Sequence, residues 1–228
     1  MATPQKPYAL DVLVAALVHQ EITNAGQAVP LLQVEHNVNG MWNQLVKSFL
    51  YFNECLMMNG RIIGHYYPGA QGYIVTPESM PKLTDTQSDK ADLVVRLLNP
   101  ITGLRDIPIL AYEGKGGSGE SLRQAVVQLD AFMKKTSMTQ GNYSYMVVAK
   151  GAKVKFFIYR AGNWNVQGGN LVPLIVKTVG GQPTPTDGKG DQWEDATIFD
   201  LTKNEEKAFA YNILAYMVNH PNDNSFTH

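Results

Sequence analysis

Glu113 and Lys115 stand two residues apart in "ILAYEGK" (109–115), where a hydrophobic run gives way to a Gly/Ser-rich stretch. In a strand, side chains two residues apart point to the same side, so this carboxylate and this ammonium would emerge together at a strand end. A carboxylate can ligate a divalent cation. A neighbouring ammonium can orient or help deprotonate a water and offset the charge that develops on a phosphate. The pair alone is therefore consistent with two interpretations, an incidental ion pair at a solvated strand end or a centre for metal-assisted chemistry on a phosphate ester.

A second acid must come from elsewhere in the chain, because Mg²⁺ usually takes more than one protein carboxylate or keeps many waters. Asp92 is the obvious donor, since it begins the apolar, β-branched segment 91–98. If the strand candidates 91–98 and 107–115 form a hairpin across the turn 99–106, Asp92 pairs with residues near 112–114. We therefore expect Asp92 and Glu113 to lie at the same edge of a sheet.

The elements that would position these residues follow from hydrophobic periodicity. Apolar residues at helical spacing predict helices over 8–22, 34–58, 121–135 and 202–220. Thr202 and Glu205 fit a capping box at the start of the last helix. Segment 144–162 reads as two strands joined at Lys150-Gly151, and the Gly/Pro-rich segment 179–192 reads as a mobile surface loop. The order predicts one domain over 1–228 with an α/β fold, a three-layer sandwich with a central mixed β-sheet flanked by helices.

The order of Asp92, Glu113-Gly114-Lys115 and the following helix resembles the PD-(D/E)xK nuclease superfamily, which has the restriction-endonuclease-like fold. That helix carries "QLDAF", Gln128 to Phe132, which is similar to the family's Gln-x-x-x-Tyr element with Phe in place of Tyr. The resemblance covers about residues 34–160. The proline that the family pattern has before the aspartate is absent, and Phe132 lacks the tyrosine hydroxyl.

The resemblance implies a metal-dependent phosphodiesterase that hydrolyses DNA or RNA with Mg²⁺ or Mn²⁺, with DNA favoured over RNA. It assigns the metal to Asp92, Glu113 and the backbone carbonyl of Gly114, and it places water activation on Lys115. Members of the family also carry an acid on the first core helix, where Glu35 is the candidate. Gln128 would orient Lys115 or the substrate, and Gln124, one turn earlier, is a second candidate for substrate contact.

Two alternatives stay open at this level. The fold also hosts inactive relatives, so the second hypothesis is a catalytically weak or inactive module that binds or recognises a partner. The segment "AKVKFFIYR" puts Lys153, Lys155, Phe157 and Tyr159 on one strand face. That face is either an ordinary solvated one or a basic–aromatic surface for nucleic acid.

The amino-acid composition limits the function classes and compartments that are possible for this chain. The formal net charge of −1 over 228 residues gives no sign of a nucleic-acid or membrane binder, so such activity would need a local patch. The single cysteine, Cys55, excludes an intrachain disulfide and a multi-cysteine zinc site, and favours an intracellular compartment, cytoplasm or nucleus. No apolar run approaches a membrane span. "GKGGSGES" lacks the spacing of a nucleotide-binding loop. A homodimer is an expectation from the resembled fold alone.

Overall fold

A computed structural model describes residues 21–24, 27–33, 35, 37–39, 73–82, 90–99, 103–139, 142–162, 170–179, 182–187 and 196–219. The strands are β1 (Glu21–Asn24), β2 (Gln27–Pro30), β3 (Tyr73–Ser79), β4 (Ala91–Asn99), β5 (Gly103–Lys115), β6 (Tyr143–Lys150), β7 (Lys153–Arg160), β8 (Leu171–Val179), β9 (Gln182–Asp187) and β10 (Phe199–Asp200). The helices are α1 (Leu122–Lys134) and α2 (Asn204–Asn219), and Leu31–Gln33 forms a 3₁₀ turn. In the described part of the chain, no helix combines the length and apolarity that crossing a membrane requires.

The central sheet has the strand order β3-β4-β5-β6-β7-β8-β9, and β10 pairs with β7. All neighbouring strands are antiparallel except β5 and β6, which are parallel. A parallel pair needs a crossover connection, and α1 supplies it. Ser121 caps α1 in a capping box with Gln124, which fixes where the helix begins.

Alternate strand residues face opposite sides of the sheet, and both sides carry apolar residues. A helix packs on each of these faces. One core contains Ala111 and Phe157 together with the apolar stripe of α1. The other contains Tyr112 and Phe156 together with the buried residues of α2. The prediction of an α/β sandwich with a central mixed sheet flanked by helices is therefore confirmed, and so are the strand over 91–98, the helix over 121–135 and the hairpin at Lys150-Gly151.

Two predicted boundaries are wrong, and a third prediction lies mostly outside the described residues. The helix predicted over 8–22 does not include Glu21 and Ile22, which pair in the β1–β2 hairpin, and residues 8–20 lie outside the described residues. In the helix predicted over 34–58, residues 35 and 37–39 are helical and the others are outside the described residues. The predicted turn 99–106 is shorter, because β5 already pairs with β4 from Gly103 onward.

Two predictions in the C-terminal third are also wrong. Segment 179–192 is not wholly a loop, because β9 pairs with β8 over Gln182–Asp187. Its prolines, Pro183 and Pro185, are tolerated because β9 ends the described strand order and so pairs on one side only. The capping box of Thr202 and Glu205 is absent. Instead α2 begins at Asn204, and the Glu206 carboxylate accepts a hydrogen bond from the backbone N–H of Asp200 at 2.7 Å.

Candidate active site at the end of strand β5

Glu113 and Lys115 form a buried ion pair at the C-terminal end of β5. The distance between Lys115 Nζ and Glu113 Oε1 is 3.1 Å, and the two side chains are only 9% and 7% exposed. Both side chains project to the α1 side of the sheet, as Ala111 does two residues earlier. Burying two charges costs free energy even when they are paired and hydrogen-bonded. A buried ion pair at the rim of a sheet therefore indicates a role other than stabilising the fold.

Asp92 lies beside this pair because β4 and β5 are in register. Leu93 is opposite Tyr112, which brings Asp92 level with Glu113 at the same rim. The backbone N–H of Gly114 donates to Asp92 Oδ2 at 2.8 Å. The N–H and C=O of one strand residue point toward the same neighbouring strand, so the Gly114 carbonyl also faces the Asp92 side.

Gly114 is a position where a side chain would not fit. A Cβ there would meet the side-chain oxygen of Asn39 and the hydroxyl of Tyr112, which lie over the glycine. The Tyr112 hydroxyl donates to Asn39 Oδ1 at 3.3 Å. The glycine between the acid and the lysine therefore lets a tyrosine and an asparagine close over the strand end, next to Asp92.

Two further acids reach the same ammonium. Lys115 Nζ lies 3.3 Å from Glu120 Oε2 and 3.7 Å from Glu35 Oε1. Both acids are about half exposed, with side-chain exposures of 46% and 47%. Three carboxylates thus lie within 3.7 Å of one buried ammonium, and the negative charge of Asp92 lies near enough to interact with it. Glu120 was missed by the sequence reasoning, and the only signal was an acid at the end of the glycine loop, immediately before the N-cap of α1.

The glycine-rich loop carries Glu120 into place by packing on the segment around Glu35. The Gly117 N–H donates to the Leu32 carbonyl at 3.0 Å, and the Ser118 hydroxyl donates to the Gln33 carbonyl at 3.2 Å. A Cβ on Gly116 would come within 2.8 Å of the Glu35 backbone nitrogen. The glycines of "GKGGSGES" therefore allow two backbones to meet closely, which joins Glu35 to the end of β5.

The two glutamines of α1 have different contacts. Gln128 Nε2 donates to Glu120 Oε2 at 3.1 Å, so Gln128 reaches Lys115 only through Glu120. Gln124 Oε1 accepts from the backbone N–H of Ser121 at 2.8 Å as part of the helix cap. The cap gives Gln124 a structural role, and its contact with substrate stays a prediction.

Burial and neighbouring charges shift the pKa values of the acids and of the lysine in this site. Burial and the nearby Asp92 charge raise the pKa of Glu113 from 4.5 to about 7, although Lys115 opposes the shift. Burial also raises the pKa of Asp92, against the hydrogen bond from Gly114 and the charge of Lys115. Burial alone would lower the pKa of Lys115, but the hydrogen bond and charge of Glu113, together with Glu35 and Glu120, raise it.

The donor set suits a hard divalent cation. Mg²⁺, Mn²⁺ and Ca²⁺ prefer carboxylate and carbonyl oxygens, which Asp92, Glu113 and Gly114 offer at one rim. Glu113 is buried and Asp92 half-buried, and the pKa of each is raised, so a cation bound between them would favour their ionised forms. Among the described residues, no group of three or more His, Cys, Asp or Glu side chains is gathered closely enough to hold a metal ion by itself. A cation there would depend on Asp92, Glu113, the Gly114 carbonyl and water, with Glu35 further out.

The predicted solvated or nucleic-acid-binding face of β7 is wrong for three of its four residues. Lys155, Phe157 and Tyr159 are 6%, 0% and 3% exposed, because both aromatic rings belong to the core under α1. Only Lys153, at the start of β7, is exposed. Lys153 therefore stays a candidate for substrate contact, whereas the buried Lys155 does not present its ammonium as a surface group.

Comparison with known proteins adds little to this geometry. No protein-family model and no curated protein matches the sequence. Among solved structures, the fold is similar to part of the type IIG restriction endonuclease BpuSI, with 11% sequence identity and a TM-score of 0.38. The match covers 87% of this chain but 18% of that one, so this chain spans less than a fifth of its length. Similarity at this level says nothing about activity, and function has to be inferred from the residues of the site.

Proposed function

We propose that the protein is a metal-dependent nuclease that hydrolyses phosphodiester bonds of DNA or RNA with Mg²⁺ or Mn²⁺. The observation that carries the proposal is the buried Glu113–Lys115 pair, 3.1 Å apart, beside an Asp92 carboxylate held by the Gly114 N–H. A purely structural ion pair has no need of further acids around it. The excess of carboxylates over ammonium groups here is instead what a divalent cation would balance.

In this proposal Asp92, Glu113 and the Gly114 carbonyl hold the ion, with Glu35 as an outer acid. The ion, when bound, would polarise the scissile phosphate and stabilise the leaving oxygen. Lys115 stays protonated at neutral pH, because its pKa is raised. Its ammonium therefore acts as a hydrogen-bond donor that orients the attacking water and offsets phosphate charge, and not as a base. Gln128 supports Lys115 through Glu120.

A catalytically weak or inactive binding module is the second candidate. It is favoured by the absence, among the described residues, of a three-acid cluster fit to hold a metal ion unaided. The formal net charge of −1 points the same way, because tight binding to phosphates draws on many Lys and Arg contacts.

Cleavage of plasmid DNA, single-stranded DNA and RNA in Mg²⁺ or Mn²⁺ separates the two candidates. The wild-type protein is expected to cut at least one substrate and to lose that activity in EDTA. Glu113→Ala and Lys115→Ala are each expected to lower the rate by about a hundredfold or more, since each removes a group that acts on the transition state. Glu205→Ala, an exposed acid of α2, is the matched control and should retain the rate. No cleavage of any substrate, or equal cleavage by all variants, would rule out the enzyme.

A further inference from the structure

The rim of the sheet carries a row of lysines that begins at the candidate active site. Lys115 ends β5 and pairs in register with Lys150, which ends β6. Lys150 in turn pairs with Lys153, which begins β7. Partners in neighbouring strands lie on the same face, so the three side chains follow one another across the strand ends.

We infer that Lys150 and Lys153 bind the phosphates that flank the scissile one, so that the substrate strand crosses the rim from β5 toward β7. This inference rests on the proposed nuclease function and gives its substrate a direction. Adjacent strands are about 4.7–4.9 Å apart, which puts Lys150 about 5 Å and Lys153 about 10 Å along the rim from Lys115. A polyanion leaving the cleavage centre in this direction meets two cations in succession.

The charges on the other side of the centre favour this direction. Toward β4 and β3 the rim carries Asp92, and Lys90 there is already paired with Glu78 at 3.7 Å. Beyond Lys153 the row ends, because Asp200 of β10 is its partner in register. Between Lys115 and Asp200 the rim is the turn of the β6–β7 hairpin, Lys150 to Lys153, whose charged residues are these two lysines.

The hairpin holds these lysines in a fixed relation to the active site. The Gly151 N–H donates to the Lys115 carbonyl at 3.0 Å, which ties the turn to the end of β5. Gly151 has a φ of +56°, a conformation that glycine adopts without strain. Lys150 Nζ donates to the Gly119 carbonyl at 3.0 Å, which leaves two of its three N–H donors for a phosphate. Such pre-organisation lowers the entropy lost when a substrate binds.

Salt-dependent binding tests the inference. The probe is a 5′-fluorescein single-stranded DNA of 20 nucleotides, with RNA of the same sequence as a second arm, and Kd is measured by anisotropy in Ca²⁺ from 50 to 250 mM KCl. Each contact with a single-strand phosphate adds about 0.7 to the magnitude of the slope of log K against log salt concentration. At 0.1 M salt this corresponds to about fivefold tighter binding per contact. Lys150→Gln and Lys153→Gln are each expected to lower the slope by about 0.7 and to raise Kd about fivefold. Because the phosphate is common to both strands, the two arms should agree.

Two variants, Lys150→Arg and Lys134→Gln, control for indirect effects. Lys150→Gln retains an N–H donor for Gly119 while removing the charge, and Lys150→Arg should restore wild-type binding. Lys134→Gln, at the far end of α1, should change neither Kd nor slope. If Lys150→Gln and Lys153→Gln both behave like Lys134→Gln while Glu113→Ala still abolishes cleavage, the path is wrong and the nuclease stands. If the wild-type protein neither binds nor cleaves either probe, both proposals fall.

Discussion

Replacing Glu113 by glutamine is expected to stabilise the folded protein at pH 8 while abolishing its cleavage activity. The carboxyl has a pKa of about 7 in the folded protein, where burial and Asp92 raise it above 4.5. The folded state therefore binds this proton more tightly than the unfolded state does. As pH rises from 4.5 to 7, the wild-type protein loses stability, and above about pH 7 the loss is complete. The neutral amide of glutamine does not incur this loss.

The size of the effect follows from the same pair of values. The interval from 4.5 to about 7 corresponds to about 3 kcal/mol in the free energy of unfolding. Linkage then predicts that the free energy of unfolding of the variant is higher than that of the wild type by about 1 kcal/mol at pH 5 and by about 3 kcal/mol at pH 8. The pH 8 figure already contains the weaker hydrogen bond that a neutral group gives Lys115, because Lys115 opposes the rise in the pKa of Glu113.

Urea unfolding of both proteins at pH 5, 6, 7 and 8, in EDTA, measures this difference. Glu205→Gln removes an exposed carboxylate from the first turn of α2, and its effect should stay within about 1 kcal/mol at every pH. Adding Mg²⁺ at pH 8 should stabilise the wild type but not Glu113→Gln, since only a state that binds the ion gains stability from it. A stability difference that is equal at pH 5 and pH 8, or a variant less stable than the wild type at pH 8, would refute the reasoning.

Four other substitutions probe the packing and the side-chain contacts around the site. Gly114→Ala should cost about 1–3 kcal/mol in urea unfolding, because its Cβ would meet Asn39 and Tyr112; an unchanged midpoint would contradict the close approach. Glu120→Gln should lower kcat about tenfold with little change in KM, as expected of a group that supports Lys115. Adding Gln128→Ala to it should then lower kcat no further, whereas an additive loss would show that Gln128 acts independently. Phe132→Tyr should destabilise the protein by about 1–3 kcal/mol, since the ring is fully buried and the new hydroxyl must find a partner there; stability equal to the wild type would show that a partner exists.

The parts of the fold that could be predicted are those encoded by local periodicity. The stripe of α1 repeats at helical spacing, and the β4 and β5 segments are apolar and β-branched, so neighbouring residues alone specify them. β9 could not be predicted in this way, because its prolines read as loop residues and only the pairing with β8 makes it a strand. The burial of one face of β7 could not be predicted for the same reason. Alternation shows which residues share a face, but it does not show that α1 covers that face.

In the candidate site, too, the residues that could be predicted are those related by strand geometry. Glu113 and Lys115 could be placed together because strand geometry relates residues two apart, and Asp92 followed from one antiparallel pairing. Glu120 reaches Lys115 through the course of a glycine-rich loop, which has no periodicity to read. That loop is held by hydrogen bonds to the backbone carbonyls of Leu32 and Gln33, 85 positions earlier, and such contacts exist only in the folded chain.

The most direct test of the central claim is a Mn²⁺ soak of protein crystals with data collected to show the anomalous signal of manganese. We expect a peak at the end of β5, about 2.0–2.6 Å from carboxylate oxygens of both Asp92 and Glu113, with Lys115 Nζ nearby. The same soak of Glu113→Gln crystals should give no peak or a much weaker one. A wild-type crystal with no manganese at this rim, while Asp92 and Glu113 keep only their contacts with Gly114 and Lys115, would contradict the account.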